Sequence, residues 1–91
     1  MRLDLLLVRL RFVASRKLAQ DWIEAGHMRR NSQRVLKANQ PIATGDVLTL
    51  PMRSNGPMHS HVKVIEILAL PERRGPASEA QSCYRVLDGQ T

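Results

Sequence analysis

Apolar positions open the chain in a helical rhythm. Leu3, Leu6, Leu7 and Leu10 recur at i, i+3, i+4 and i+7, with Asp4 in the first turn, and predict a helix to about Phe12. Leu5, Val8 and Phe12 form a second stripe on nearly the opposite side, so this helix is either covered twice or exposes a contact patch. Cover by the C-terminal segment is the arrangement expected here. A second helix follows, with Ser15 as its N-cap, Leu18, Ala19, Trp22 and Ile23 as its buried face and Gly26 as a left-handed stop. Barely three residues separate the two periodic segments. The pair should therefore pack tightly, with Arg9 and Arg11 at the end of the first helix near the start of the second.

Beyond Gly26 the period shortens. "HMRR", "NSQ" and "RVL" read as strand, turn and strand, Asn31 being tolerant of positive φ. "PIATGDVLTL" adds a Gly45-Asp46 turn and a strand through Leu50, and the Pro- and Gly-containing stretch 51–60 reads as a loop. "HVKVIEILAL" is the strongest strand by β-branched content. "GPASEAQSCYRVL" opens a last helix at Pro76, with a Ser78/Gln81 capping box. The predicted class is α+β: two packed N-terminal helices, a small antiparallel sheet and a C-terminal helix. Residues 1–70 form the domain and 71–91 a helical extension packed on it.

A chain of 91 residues holds one modest core and leaves no room for a separate catalytic domain. Its single cysteine, Cys83, excludes an internal disulfide and fits a reducing cytoplasm. The leucine-rich start resembles a signal segment only superficially, because Arg9 breaks the apolar run after Leu5–Val8. Charge is more informative. Residues 1–37 carry nine Lys and Arg against three acids, whereas residues 38–91 carry five of each sign. The whole net charge of +6 therefore lies in the first two-fifths of the chain, as expected of a surface that meets a polyanion.

Arg16 and Lys17 occupy the first turn of the second helix, where the macrodipole disfavours cations by roughly 0.3–1 kcal/mol each. Free N–H groups at a helix start attract phosphate, and flanking cations strengthen such a site while weakening the empty protein. In this frame Arg11, Arg16, Lys17, His27, Arg29, Arg30, Arg34 and Lys37 can form one patch around the helical pair and the hairpin.

These segments also carry a family likeness. "RLDLLL", "SRKLAQDWIEAGHMRRNSQRV" and "IATGDVLTL" resemble the RNA-binding domain named after the fourth protein of the small ribosomal subunit, the S4 domain, continuously over residues 2–50. The tail "LPERRGPASEAQSCY" resembles the segment that follows the domain in the small, ribosome-associated heat-shock member. The resemblance implies two helices packed on an antiparallel sheet, binding of structured RNA, and association with large ribosomal subunits carrying a stalled nascent chain with transfer RNA. By motif position it assigns RNA-facing roles to Arg11, Ser15, Arg16, Lys17, His27, Arg29, Asn31, Gln33 and Arg34. Cations would hold phosphates; Asn31 and Gln33 would shape the turn or reach ribose and base edges. Heat-shock members carry Lys-Trp-Leu-Trp where this chain has Leu5-Leu6-Leu7-Val8 and a glycine where it has Ser32. An apolar or aromatic residue stands there in place of Arg30, and the basic C-terminal extension is missing here.

Other classes fit less well. An enzyme would need a nucleophile, an acid/base pair or a metal site, and neither Cys83 nor the three histidines have partners at such spacing, so no catalysis, metal or cofactor is expected. A membrane-surface helix at residues 2–13 would keep its apolar residues on one side, which these do not do. A protein-interaction module using Leu5, Val8 and Phe12 is the alternative to RNA binding. The expectation is a cytoplasmic monomer whose partner is structured RNA, ribosomal RNA or the large subunit in particular.

Overall fold

The computed structural model describes residues 1–53 and 60–87. It has three helices, α1 (Leu3–Arg9), α2 (Arg16–Glu24) and α3 (Ala77–Ser82), and five strands. The strands are β1 (Met28–Arg30), β2 (Gln33–Val35), β3 (Val47–Arg53), β4 (Ser60–Ile67) and β5 (Tyr84–Val86). All neighbours are antiparallel, in the order β2-β1-β3-β4-β5. Among the described residues no helix is long and apolar enough to cross a membrane.

The expected leucine stripe is the centre of the core. Leu3, Leu6, Leu7 and Leu10 are buried against Ala19 and Ile23 of α2 and against Met28, Val35, Leu48, Leu50, Ile65 and Ile67 of the sheet. At about 1.5–3 kcal/mol per fully buried aliphatic side chain, this cluster dominates the folding free energy. Leu18, expected on the buried face of α2, is instead 52% exposed.

Helix α1 stops earlier than its periodicity predicts. Arg11 takes φ 69°, so that its N–H reaches Val8 O at 3.0 Å and the Phe12 N–H reaches Leu7 O at 3.0 Å, a Schellman closure with arginine where glycine is usual. The left-handed conformation costs roughly 1–2 kcal/mol. Two satisfied helix carbonyls and the packing of Phe12 on the core offset it. The connection to α2 is therefore the six residues Leu10–Ser15, not three.

The stretch read as a loop is partly strand, for Pro51–Arg53 belong to β3 and Ser60 to β4; the remainder of that loop lies outside the described residues. Pro51 is tolerated because β1 ends at Met28, which leaves that end of β3 without a neighbour needing its N–H. The free carbonyl of Pro51 accepts from Trp22 Nε1 at 3.2 Å. The last helix is also shorter than predicted. It begins after Pro76 with no side-chain cap, so the Ser78/Gln81 capping box does not form, and it gives way to β5, which pairs with Ile65–Ile67 of β4. Of the second stripe, the C-terminal segment meets Phe12, which lies just beyond α1: Tyr84 of β5 packs on it with ring centroids 5.3 Å apart.

Candidate nucleic-acid interface

The predicted site residues fall into three groups. The first surrounds Asp4, a fully buried carboxylate. Its Oδ1 accepts from Leu5 N at 2.7 Å and Arg2 Nε at 3.0 Å, and its Oδ2 from Arg2 Nη2 at 3.0 Å, Gln20 Nε2 at 3.1 Å and Arg16 Nη2 at 3.4 Å. The backbone N–H of Asp4 reaches Ala38 O at 3.1 Å, next to Lys37. The carboxylate thus joins the first turn of α1 to α2, and the backbone N–H of the same residue holds the segment after β2. Burial alone would raise the Asp4 carboxyl; hydrogen bonds from Gln20, Arg2 and Leu5, with the Arg2 charge, outweigh it and hold the group below the usual carboxylate value.

This geometry corrects two expectations. The first-turn cations of α2 are not bare, since Arg16 pairs with Asp4 and Lys17 with Asp21 at 3.0 Å. Arg9 and Arg11 do not join them. Their guanidiniums donate instead to Pro71 O at 3.0 Å and Gly75 O at 2.9 Å, tying the end of α1 to the C-terminal segment. Ser15 caps α2 as expected, its Oγ accepting from Leu18 N at 3.2 Å.

The second group is the turn of the β1–β2 hairpin. Asn31 (φ 51°) and Ser32 (φ 72°) are both left-handed, as a two-residue hairpin turn of this hand requires. Asn31 Oδ1 accepts from Val47 N at 2.8 Å and its Nδ2 donates to Asp46 Oδ1 at 3.2 Å. Asp46 also receives Arg30 Nε at 2.8 Å and Ala43 N at 2.8 Å. Burial would raise its carboxyl too, and the bonds from Ala43, Arg30 and Asn31 pull it below the usual value instead. Arg30 and Asn31 are thereby committed to protein partners that fix the turn.

The third group is outward-facing. Arg29 and Arg34 are paired in register across β1 and β2, on the side opposite buried Met28 and Val35. His27, Gln33 and Lys37 are exposed nearby in sequence. Among the described residues none of these five side chains has a hydrogen-bond or ion-pair partner. Two like charges opposed across a hairpin destabilise it unless an anion lies between them.

The sequence profile described as the S4 domain matches residues 1–48, the segment that supplies both helices, the hairpin and the start of β3. The chain belongs to the S4 domain family. Its S4 fold is that of an RNA-binding module, and the arrangement of helices, sheet and C-terminal elements agrees with a solved relative. That relative is heat-shock protein 15 of Vibrio cholerae, whose structure is trimeric; it is 33% identical, superposes with a TM-score of 0.80, and the match covers 97% of this chain and 82% of that one. Among curated protein sequences none matches. Sequence reasoning gave no site role to Arg2 and left Asp4 as a favourable first-turn acid. The signal that could have found them is the Arg-Leu-Asp triplet at the helix start, with a second arginine opening the next helix.

Proposed function

We propose that this S4-family protein binds structured RNA, ribosomal RNA in particular, through a cationic face running from Arg16 and Lys17 past Lys37 to Arg29 and Arg34, with His27 and Gln33 at its border. The observation that carries the reading is the Arg29–Arg34 pair, opposed in register and exposed, with no ion-pair partner for either side chain among the described residues. Each phosphate held by such groups releases counterions on binding. Arg11, Arg30, Ser15 and Asn31 serve the same face indirectly, by setting the helix ends and the turn. Residues 1–70 form the RNA-binding domain and 71–91 an extension that covers Phe12 and anchors Arg9 and Arg11. That cover removes part of the stripe a protein-interaction module would use.

By its likeness to heat-shock protein 15, the chain acts in the cytoplasm on large ribosomal subunits that retain a nascent chain with transfer RNA. It does so without catalysis of its own. A monomer, expected from the sequence, contrasts with the trimeric Vibrio protein, and light scattering coupled to size exclusion separates the two.

Titration of a labelled RNA hairpin with the parent and with an Arg29→Gln/Arg34→Gln variant tests the reading. The variant is expected to fold normally and to lose roughly 1–3 kcal/mol of affinity. Parent-like binding by the variant, or affinity indifferent to salt, refutes it. Sedimentation with ribosomal subunits, with and without RNase, tests the ribosomal assignment.

A further inference from the structure

We propose that Arg2 and Arg16 together form a phosphate-binding site, assembled by Asp4 and resting on the RNA-binding reading above. Both guanidiniums place an Nη2 on the same oxygen, Asp4 Oδ2, at 3.0 and 3.4 Å. Their Nη2 atoms therefore stand no further apart than those two bonds laid end to end, a span that one phosphate bridges when two of its oxygens each accept a hydrogen bond. Each guanidinium has five N–H donors, and only part of each set is spent. Arg2 uses Nε and one Nη2 hydrogen, leaving Nη1 and the other Nη2 hydrogen; Arg16 uses one Nη2 hydrogen, leaving Nε, Nη1 and the other Nη2 hydrogen.

Exposure separates the three side chains by role. Those of Arg2 and Arg16 are 47% and 49% exposed, whereas that of Asp4 is 0%. The carboxylate is sealed beneath the two cations, and the solvent side presents only donors. Two positive charges would not normally stay this close, and the buried carboxylate removes the repulsion. The local charge that remains is one net positive, directed outward. Gln20 fixes the carboxylate from the second turn of α2, and Lys37 precedes the residue whose carbonyl receives the Asp4 N–H. Asp4 is thus a positioning residue, and Arg2 and Arg16 are the ligands.

The sign of one substitution distinguishes positioning from bulk electrostatics. Asp4→Asn deletes a negative charge beside the RNA face, so a purely electrostatic view expects tighter binding. Loss of the assembled site expects weaker binding, by roughly three- to tenfold. Titrating a labelled RNA hairpin with the parent, Asp4→Asn, Arg2→Gln, Arg2→Lys and Arg74→Gln reads the difference. Arg2→Gln should weaken binding about tenfold and reduce the salt slope by about one, while Arg74→Gln, removing the same charge from the C-terminal segment, should change affinity less than about twofold. Arg2→Lys keeps the charge but cannot grip Asp4 side-on while reaching a phosphate; it should still lose about threefold or more. It decides the matter if Asp4→Asn fails to fold.

A second readout is independent of RNA. Inorganic phosphate should shift the Nε–H resonances of Arg2 and Arg16 in the parent and not in Asp4→Asn. If the parent binds no RNA while phosphate still shifts both resonances, the RNA reading fails and the site stands. If RNA binds but Arg2→Gln behaves as Arg74→Gln does, or Asp4→Asn binds as tightly as the parent, the site is overturned and the RNA reading survives.

Discussion

Asn31 and Asp46 lock two turns to each other: the Asn31 amide donates to Asp46 Oδ1 at 3.2 Å while its carbonyl oxygen accepts the Val47 N–H at 2.8 Å. Because Asp46 also holds Arg30 and the Ala43 N–H, the hairpin that presents Arg29 and Arg34 is fastened to the start of β3. Asp46→Ala should leave Arg30 half-buried without its partner and cost about 2–3 kcal/mol. Urea unfolding measures this, and an unchanged midpoint would show that the fastening is incidental.

Ser32 sits at φ 72° without the glycine that such a turn favours. Ser32→Gly should raise stability by about 0.5–1 kcal/mol, the relief of left-handed strain being partly offset by a more flexible unfolded chain. RNA affinity should stay constant. Destabilisation in the same urea series would show that the serine contributes a contact worth more than the strain.

The two first-turn cations of α2 should behave differently. Arg16→Gln removes a partner of buried Asp4 and should lower stability by about 1 kcal/mol once screening at a half-exposed group is allowed for. Lys17→Gln breaks an exposed pair with Asp21 and should leave the melting temperature unchanged. Equal melting temperatures for the two variants would mean that the Asp4 contact carries little stability.

Acid should act through Asp4 and Asp46. Both carboxyls lie below the usual value in the folded state, so their contribution is fully present above the unfolded value and is lost as pH falls through the folded one. The urea midpoint should therefore be flat from about pH 7 to about pH 5 and fall from about pH 4 downward. Asp4→Asn and Asp46→Asn should each shallow that acid limb. A limb equally steep in both variants would assign it to other groups.

The parts of this fold legible in the sequence were those set by local period and local turn chemistry. The leucine stripe of α1, the Ser15 cap, the Gly26 stop and the left-handed Asn31 all depend on residues within a few positions of one another. What escaped was settled by distant partners. Arg11 could end α1 only because Phe12 had a core to join, and Gly75 lies 64 residues away from the guanidinium that binds it. Pro51 could remain in a strand because β1 stops short of it, which no local pattern records. The pairing of Arg16 with Asp4 likewise depends on the helix crossing. The excess of arginine and lysine in residues 1–37 was visible as charge, but its division into anchored and unpartnered arginines was not.

The short strand β5 also bears on solubility. It lies along Ile65–Ile67, and its pairing occupies backbone groups of β4 that would otherwise line the outside of the sheet. A chain cut after Leu70 would uncover the Ile65–Ile67 stretch of β4, an apolar edge of the kind on which separate chains add to one another. In the intact protein that stretch is covered by the three residues of β5, among them Arg85, whose guanidinium pairs with Glu66. The C-terminal strand thus acts as a guard against self-assembly into sheets, and loss of it should show first as precipitation.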